Sequence, residues 1–110
     1  MLPTGWHDLG MADTSPDTSV TDVPARQRFE ARTADGDVAG FSAYERNGDT
    51  MVCTHTEVDN AYEGKGVGGQ LARVALDQAR VEGLQVDPRC PFVREWIDRH
   101  EDYQDLVVGT

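Results

Sequence analysis

The sequence predicts an α/β chain: a mixed, mostly antiparallel sheet of about four strands, with two helices in its C-terminal half. Three observations predict it. Two hairpin dipeptides, Asp35-Gly36 and Asn47-Gly48, separate three runs of strand-like residues, which therefore form an antiparallel meander. A glycine-rich stretch from Gly64 to Gly69 then hands the third strand over to a long helical pattern. A short run, Leu84–Asp87, follows that helix, and strand–helix–strand order places it parallel to the third strand by a right-handed crossover.

Each element has its own signal. Residues 1–23 are rich in Asp, Thr, Ser and Pro and lack an apolar period, so they are expected to form a disordered tail. Trp6 is the exception in that tail, and Met11-Ala12-Asp13 reads as an ordinary protein start, making the first ten residues an expected extension. Residues 24–110 are expected to form a single domain. Gln27–Thr33 is a short strand with Phe29 and Ala31 on one face. Val38–Arg46 alternates Val38, Gly40, Ser42 and Tyr44 against Ala39, Phe41 and Ala43. In Thr50–Val58 the same alternation puts Met51, Cys53, His55 and Glu57 on one face, with Val52, Thr54, Thr56 and Val58 on the other.

The first helix should run from Gly66 or Val67 to Glu82. Gln70, Arg73, Asp77 and Arg80 make its single polar stripe, and Gly83 ends it. Pro91 suits the first turn of the second helix, which puts Cys90 near its N-cap. Phe92, Val93, Trp96, Ile97 and His100 recur at helical spacing, and Tyr103, Leu106 and Val107 are expected to pack back on the domain.

Charge narrows the function. Twenty acidic residues against ten basic ones give a net charge of −10, which repels nucleic acid and anionic membrane surfaces and favours cationic partners such as amines or basic peptides. No stretch has the length of a membrane span, and no basic region followed by an apolar run marks a secretory signal, so a cytoplasmic location is expected. The two cysteines, Cys53 and Cys90, are then expected to be free thiols. The sequence points to no metal site. An anionic ligand on so acidic a chain must be held by local geometry. The glycine turn supplies it, because unpaired N–H groups at a helix start, aligned with the helix dipole, hold phosphate. Lys65, the single lysine, lies inside that turn.

Two groups near the turn can do chemistry. His55 and Glu57, two residues apart at the end of the third strand, are candidate general bases. Cys90, near a helix start beside Arg89, gains thiolate character and is a candidate reactive thiol. Cys53, in mid-strand with Met51, reads as packing.

The turn does not have the spacing of a dinucleotide fingerprint, and Lys65 is followed by Gly66 where a nucleoside triphosphate loop needs Ser or Thr. Glu63-Gly64-Lys65-Gly66-Val67-Gly68 instead resembles the acetyl-CoA turn of the GCN5-related N-acetyltransferases, Gln/Arg-x-x-Gly-x-Gly/Ala, with Glu63 in place of the usual Gln or Arg. His55-Thr56-Glu57-Val58, the turn, and Pro88-x-Cys90-Pro91-Phe92-Val93 with Trp96-Ile97, His100 and Tyr103 resemble the minimal, single-domain branch of that family, over roughly Phe29 to Val107.

The resemblance implies a sheet splayed between the third strand and Leu84–Asp87, with acetyl-CoA in the gap. Its pyrophosphate would lie on Glu63, Gly64, Lys65, Gly66, Val67, Gly68 and Gly69. Its pantetheine arm would lie along Thr56 and Val58, with Cys90, Pro91 and Phe92 nearby. The function implied is acetyl transfer to a primary amine, a protein lysine or a small molecule, by direct attack in a ternary complex on a monomer or weak dimer. The alternative is a non-catalytic acyl-CoA-binding module. Members of the family usually place one or two helices after the first strand; here Thr33 turns straight into Asp37, so the acceptor side should be open.

Overall fold

The protein is described here from a computed structural model covering residues 17–109. The expectations for Trp6, the start at Met11 and the rest of residues 1–16 lie outside the described residues. Five strands form one sheet in sequence order: β1 (Ser19–Val23), β2 (Arg28–Arg32), β3 (Val38–Asn47), β4 (Thr50–Val58) and β5 (Gln85–Pro88). The first four pair antiparallel with their neighbours, and β5 runs parallel to β4. Helix α1 (Val67–Val81) makes the crossover from β4 to β5. Helix α2 (Pro91–Asp98) and a 3-10 segment, Glu101–Leu106, complete the chain.

One expectation needs correcting. The stretch Ser19–Val23, assigned to a disordered tail, is edge strand β1, in register with Arg28–Arg32. Its polar composition masked it: an edge strand needs little apolar surface, and here Val20 alone of the five packs firmly against the core. Polar contacts supply the rest. The Tyr44 hydroxyl donates to Asp22 at 2.6 Å, and the Gln70 side-chain amide on α1 donates to the Thr18 carbonyl at 2.8 Å.

The hairpin expectations hold. Thr33 and Asp37 close the β2–β3 turn with a 2.9 Å backbone bond, so no helix intervenes between these strands. The core lies between one face of the sheet and α1. Phe29, Ala31, Tyr44, Met51, Cys53 and Val86 meet Leu71, Ala72, Ala75, Leu76 and Ala79. Three alanines on the buried stripe of α1 let the helix sit close to the sheet. Leu71 and Leu76, with no exposed surface, each contribute about 2 kcal/mol by burial. Gly83 terminates α1 with φ +73°, a value that favours glycine, and the Leu84 N–H returns to the Ala79 carbonyl at 2.8 Å.

The second helix begins at Pro91 with Cys90 at its N-cap, as expected, but ends at Asp98, so His100 falls beyond it. His100 stacks on Trp96 with ring centroids 3.7 Å apart and bonds the Trp96 carbonyl. Tyr103 and Leu106 are buried. Val108 ties the C-terminal segment to β5 through the Val86 carbonyl at 2.9 Å.

Candidate functional site

The site is made by a fault in β4. Ala43 pairs with His55 but Tyr44 pairs with Cys53, which leaves Thr54 as an extra residue. This bulge reverses the alternation that the sequence implied. Before it, Met51 and Cys53 point into the core. After it, Thr56 and Val58 take the core-side direction, while His55 and Glu57 turn to the opposite face. The expectation that Met51, Cys53, His55 and Glu57 share a face is therefore corrected: the first two and the last two lie on opposite faces.

The bulge also changes which way the backbone points. The Cys53 carbonyl accepts from the Arg89 and Cys90 N–H groups at 3.0 and 2.9 Å, on the β5 side. The Asp59 N–H donates to Ala39, on the β3 side. Strand alternation then turns the N–H and C=O of Val58 and Thr56 away from β3, toward the side where β5 has already ended at Pro88. Among the described residues, the edge of β4 is left open past Cys53.

Facing that edge is a pocket of about 380 Å³, lined by Thr56, Val58, Tyr62, Glu63, Gly64, Gly66, Val67, Gly68, Gly69 and Phe92. The chain reaches it through a 3-10 turn, Asn60–Tyr62, capped by the Asp59 carboxylate on the Ala61 N–H at 2.9 Å. Gly66 caps α1 with φ +83°, a left-handed conformation that a larger residue enters only under strain. The first backbone bond of α1 runs from Gln70 N–H to the Gly66 carbonyl, so the N–H groups of Val67, Gly68 and Gly69 remain as donors at the positive end of the helix dipole. Gly68 has a separate reason to be glycine: a Cβ there would stand 2.8 Å from the Phe92 ring. This bare helix start offers donors suited to an anion, and the strand edge beside it offers backbone groups free to pair with an extended ligand.

The other expected residues fall around this pocket. Lys65 is exposed, and neither it nor Pro91 nor Cys90 lines the cavity. Cys90 is buried behind it, its thiol 3.5 Å from the Thr56 hydroxyl, which is in turn 3.1 Å from Ser42. Both cysteines are free. Burial, reinforced by neighbouring Cys90 and Asp87, pushes the Cys53 thiol up to about 12, so it stays protonated and serves packing. His55 Nε2 and Glu57 Oε2 lie 2.8 Å apart, with more than half of each side chain exposed, and neither enters the pocket.

Sequence reasoning missed Tyr62, the Ser42–Thr56–Cys90 chain and the bulge. Tyr62 could have been found as the aromatic closest before the glycine turn. Nothing in the local composition around Thr54 marks a bulge.

This fold and site define a class: an α/β domain of the N-acetyltransferase kind, with a glycine turn opposite a strand edge that its neighbour has left. Residues 28–106 match the model of the GCN5-related N-acetyltransferase family, and the chain belongs to that family. Among curated proteins it is similar to Protein NATD1 of Gallus gallus, 29% identical over 90 residues that span 81% of this chain and 82% of that one. It is 32% identical to Protein NATD1 of Homo sapiens over 73 residues, 66% of this chain and 65% of the other. Among solved structures, a GCN5-like putative N-acetyltransferase from Staphylococcus aureus superposes with a TM-score of 0.66, covering 86% of this chain and 91% of that one. At 20% identity that likeness speaks for the fold alone. The fold is one that supports acyl transfer. Among the described residues no helix is long and apolar enough to cross a membrane.

Proposed function

We propose that this protein is an acetyl-CoA-dependent N-acetyltransferase acting on a primary amine. The observation that carries the reading is the open edge of Thr56 and Val58 facing the unbonded N–H groups of Val67–Gly69. Acetyl-CoA, when bound, supplies a thioester, so that transfer forms a C–N bond, breaks the C–S bond, and returns coenzyme A with the amine's proton lost to a base.

The chain's own contributions follow from position. Backbone donors at the start of α1 hold the pyrophosphate, and Lys65 adds a secondary charge. The backbone of Thr56 and Val58 aligns the amide-bearing arm, with Phe92 as wall and Cys90 behind Thr56. The β5-side edge of β4 has no partner strand past Cys53 among the described residues, so an amine on the opposite face reaches the thioester past that edge. His55 and Glu57 stand on that face as a hydrogen-bonded acid–base pair. In the tautomer with Nε2–H donating to Glu57, Nδ1 is left to accept the amine's proton.

A second reading has an observation of its own. Both candidate bases lie outside the pocket, an arrangement that also suits a module that binds acyl-CoA without turnover. One experiment separates the two: release of free coenzyme A thiol from acetyl-CoA by the purified chain with polyamines, small amines and lysine peptides. Thiol release that saturates with one of these acceptors supports transfer. Saturable acetyl-CoA binding with no release across the panel supports the binding module, and absence of binding refutes both. Cys90→Ala is expected to keep near-normal turnover, because Cys90 is behind the pocket wall; loss of turnover with coenzyme A binding intact would give the thiol a direct part.

A further inference from the structure

The face of the sheet away from α1 carries an arrangement that acetyl-CoA binding does not explain. Glu30, on β2, has no exposed side-chain surface, yet it points away from the core that takes its neighbours Phe29 and Ala31. Three guanidinium groups cover it: Arg26 Nη1 at 3.2 Å and Arg28 Nε at 2.8 Å bond one oxygen, and Arg32 Nη2 at 2.6 Å bonds the other. Arg32 also donates to the Gly36 carbonyl. Arg26 and Arg28, by contrast, keep guanidinium N–H groups with no acceptor among the described residues. The buried carboxylate thus fixes a cationic array on a chain of net charge −10.

That array abuts the candidate bases. Phe41 lies between Glu30 and Glu57 in register. The Arg28 guanidinium sits 4.4 Å from the Phe41 ring centroid, and the His55 ring centroid is 6.0 Å from it. One aromatic ring therefore separates a cation with spare donors from the His55–Glu57 pair, across two strand spacings, about 10 Å.

From this juxtaposition, and resting on the acetyltransferase reading above, we infer that this face docks an acidic peptide segment that presents a lysine. The lysine amine lies against Glu57 and His55, and a flanking carboxylate lies against Arg28 and Arg26. A peptide is favoured over a small amine because Arg26, His55 and Glu57 on this face are each more than half exposed, without the enclosure typical of small-molecule sites. The acidic character comes from the spare arginine donors, which pair with carboxylates by charge-assisted bonds. The protein's overall negative charge does not oppose this at physiological salt, where screening confines repulsion to about 8 Å. The selectivity is thus the reverse of what net charge alone implies.

The test uses the full chain without acetyl-CoA, at physiological salt. A rhodamine-labelled peptide with one lysine flanked on each side by two aspartates is titrated by anisotropy, beside versions carrying asparagine or arginine at those flanks. The aspartate peptide should bind about tenfold more tightly than the asparagine one, the equivalent of one charge-assisted hydrogen bond. Arg28→Gln should remove that preference, and Arg26→Gln should reduce it severalfold, each read as the ratio of aspartate-peptide to asparagine-peptide affinity within the same variant. Arg26 is 60% exposed, so its variant decides the matter even if Arg28→Gln perturbs folding. Equal binding of the aspartate and asparagine peptides, tighter binding of the arginine peptide, or an undiminished preference in Arg26→Gln would overturn the inference. Because this assay reads binding alone, its failure leaves acetyl transfer standing. Absence of thiol release with every amine would count against transfer and not against the anisotropy result.

Discussion

The two halves of β4 belong to one strand and do opposite things. Thr50–Cys53 is held on both edges, by β3 and by β5, and its side chains Met51 and Cys53 are sealed in the core. Thr54–Val58 is held on one edge only, and its side chains divide between a pocket and an open face. A single extra residue, Thr54, separates them. The comparison teaches that this protein makes its site by ending a pairing early and shifting alternation by one residue. Substitutions in the first half should therefore cost stability, and those around the second half should cost binding.

The largest expected effect falls on the locked half. Met51→Ala removes a side chain with no exposed surface and should destabilise by about 2–5 kcal/mol in urea unfolding, with coenzyme A affinity of the folded protein unchanged. A matching loss of affinity would break the division between the halves.

Next is Glu30→Gln, on the open face. Burial raises the Glu30 carboxyl, but bonds from Arg28 and Arg32 outweigh it and hold the group below its ordinary value of 4.5. Its contribution to stability is therefore complete above pH 4.5 and is lost as pH falls through the lower, folded-state value. The variant should be less stable by about 1–3 kcal/mol near neutrality. Its stability should also fall less steeply than wild type below pH 4.5, as read from denaturant midpoints between pH 3 and 7. A parallel fall in both proteins would mean that Glu30 titrates as if exposed.

Gly68→Ala sharpens the freed half. The added Cβ pushes the Phe92 ring aside, and this ring, 42% exposed, has room to move. A helix-propensity gain of about 1 kcal/mol offsets that displacement, so stability should change little while coenzyme A affinity falls about tenfold. The smallest effect should come from Lys65→Ala. The residue is exposed and outside the pocket lining, so calorimetry should show a loss of no more than about fivefold in coenzyme A affinity. Complete loss would show that side-chain charge, and not the backbone, holds the anion.

Most of the architecture was legible in the sequence because its signals are local. Asn47-Gly48 marks a hairpin through turn geometry, the α1 stripe marks a covered helix, and Pro91 and Gly83 punctuate helices through their own backbone preferences. What was not legible depends on partners distant in sequence. Strand β1 owes its place to a ladder with β2 and to bonds with Tyr44 and Gln70. The bulge is defined only by pairing across two strands, where Ala43 meets His55 and Tyr44 meets Cys53. The fully covered Glu30 could not be read either: in sequence it is a polar residue on an alternating strand, and only the convergence of Arg26, Arg28 and Arg32 makes it a buried one. The bare glycine turn at the start of α1 was readable, whereas the sides taken by His55 and Glu57 depended on Thr54.

The most direct test of the account is a titration of the ¹⁵N-labelled chain with coenzyme A, followed by amide shifts. A saturable response centred on Thr56, Val58 and Gly64–Gly69 is expected, with Thr50–Cys53 little changed. Saturable shifts centred on the Arg28–Phe41 face instead, or no shifts at millimolar ligand, would contradict it.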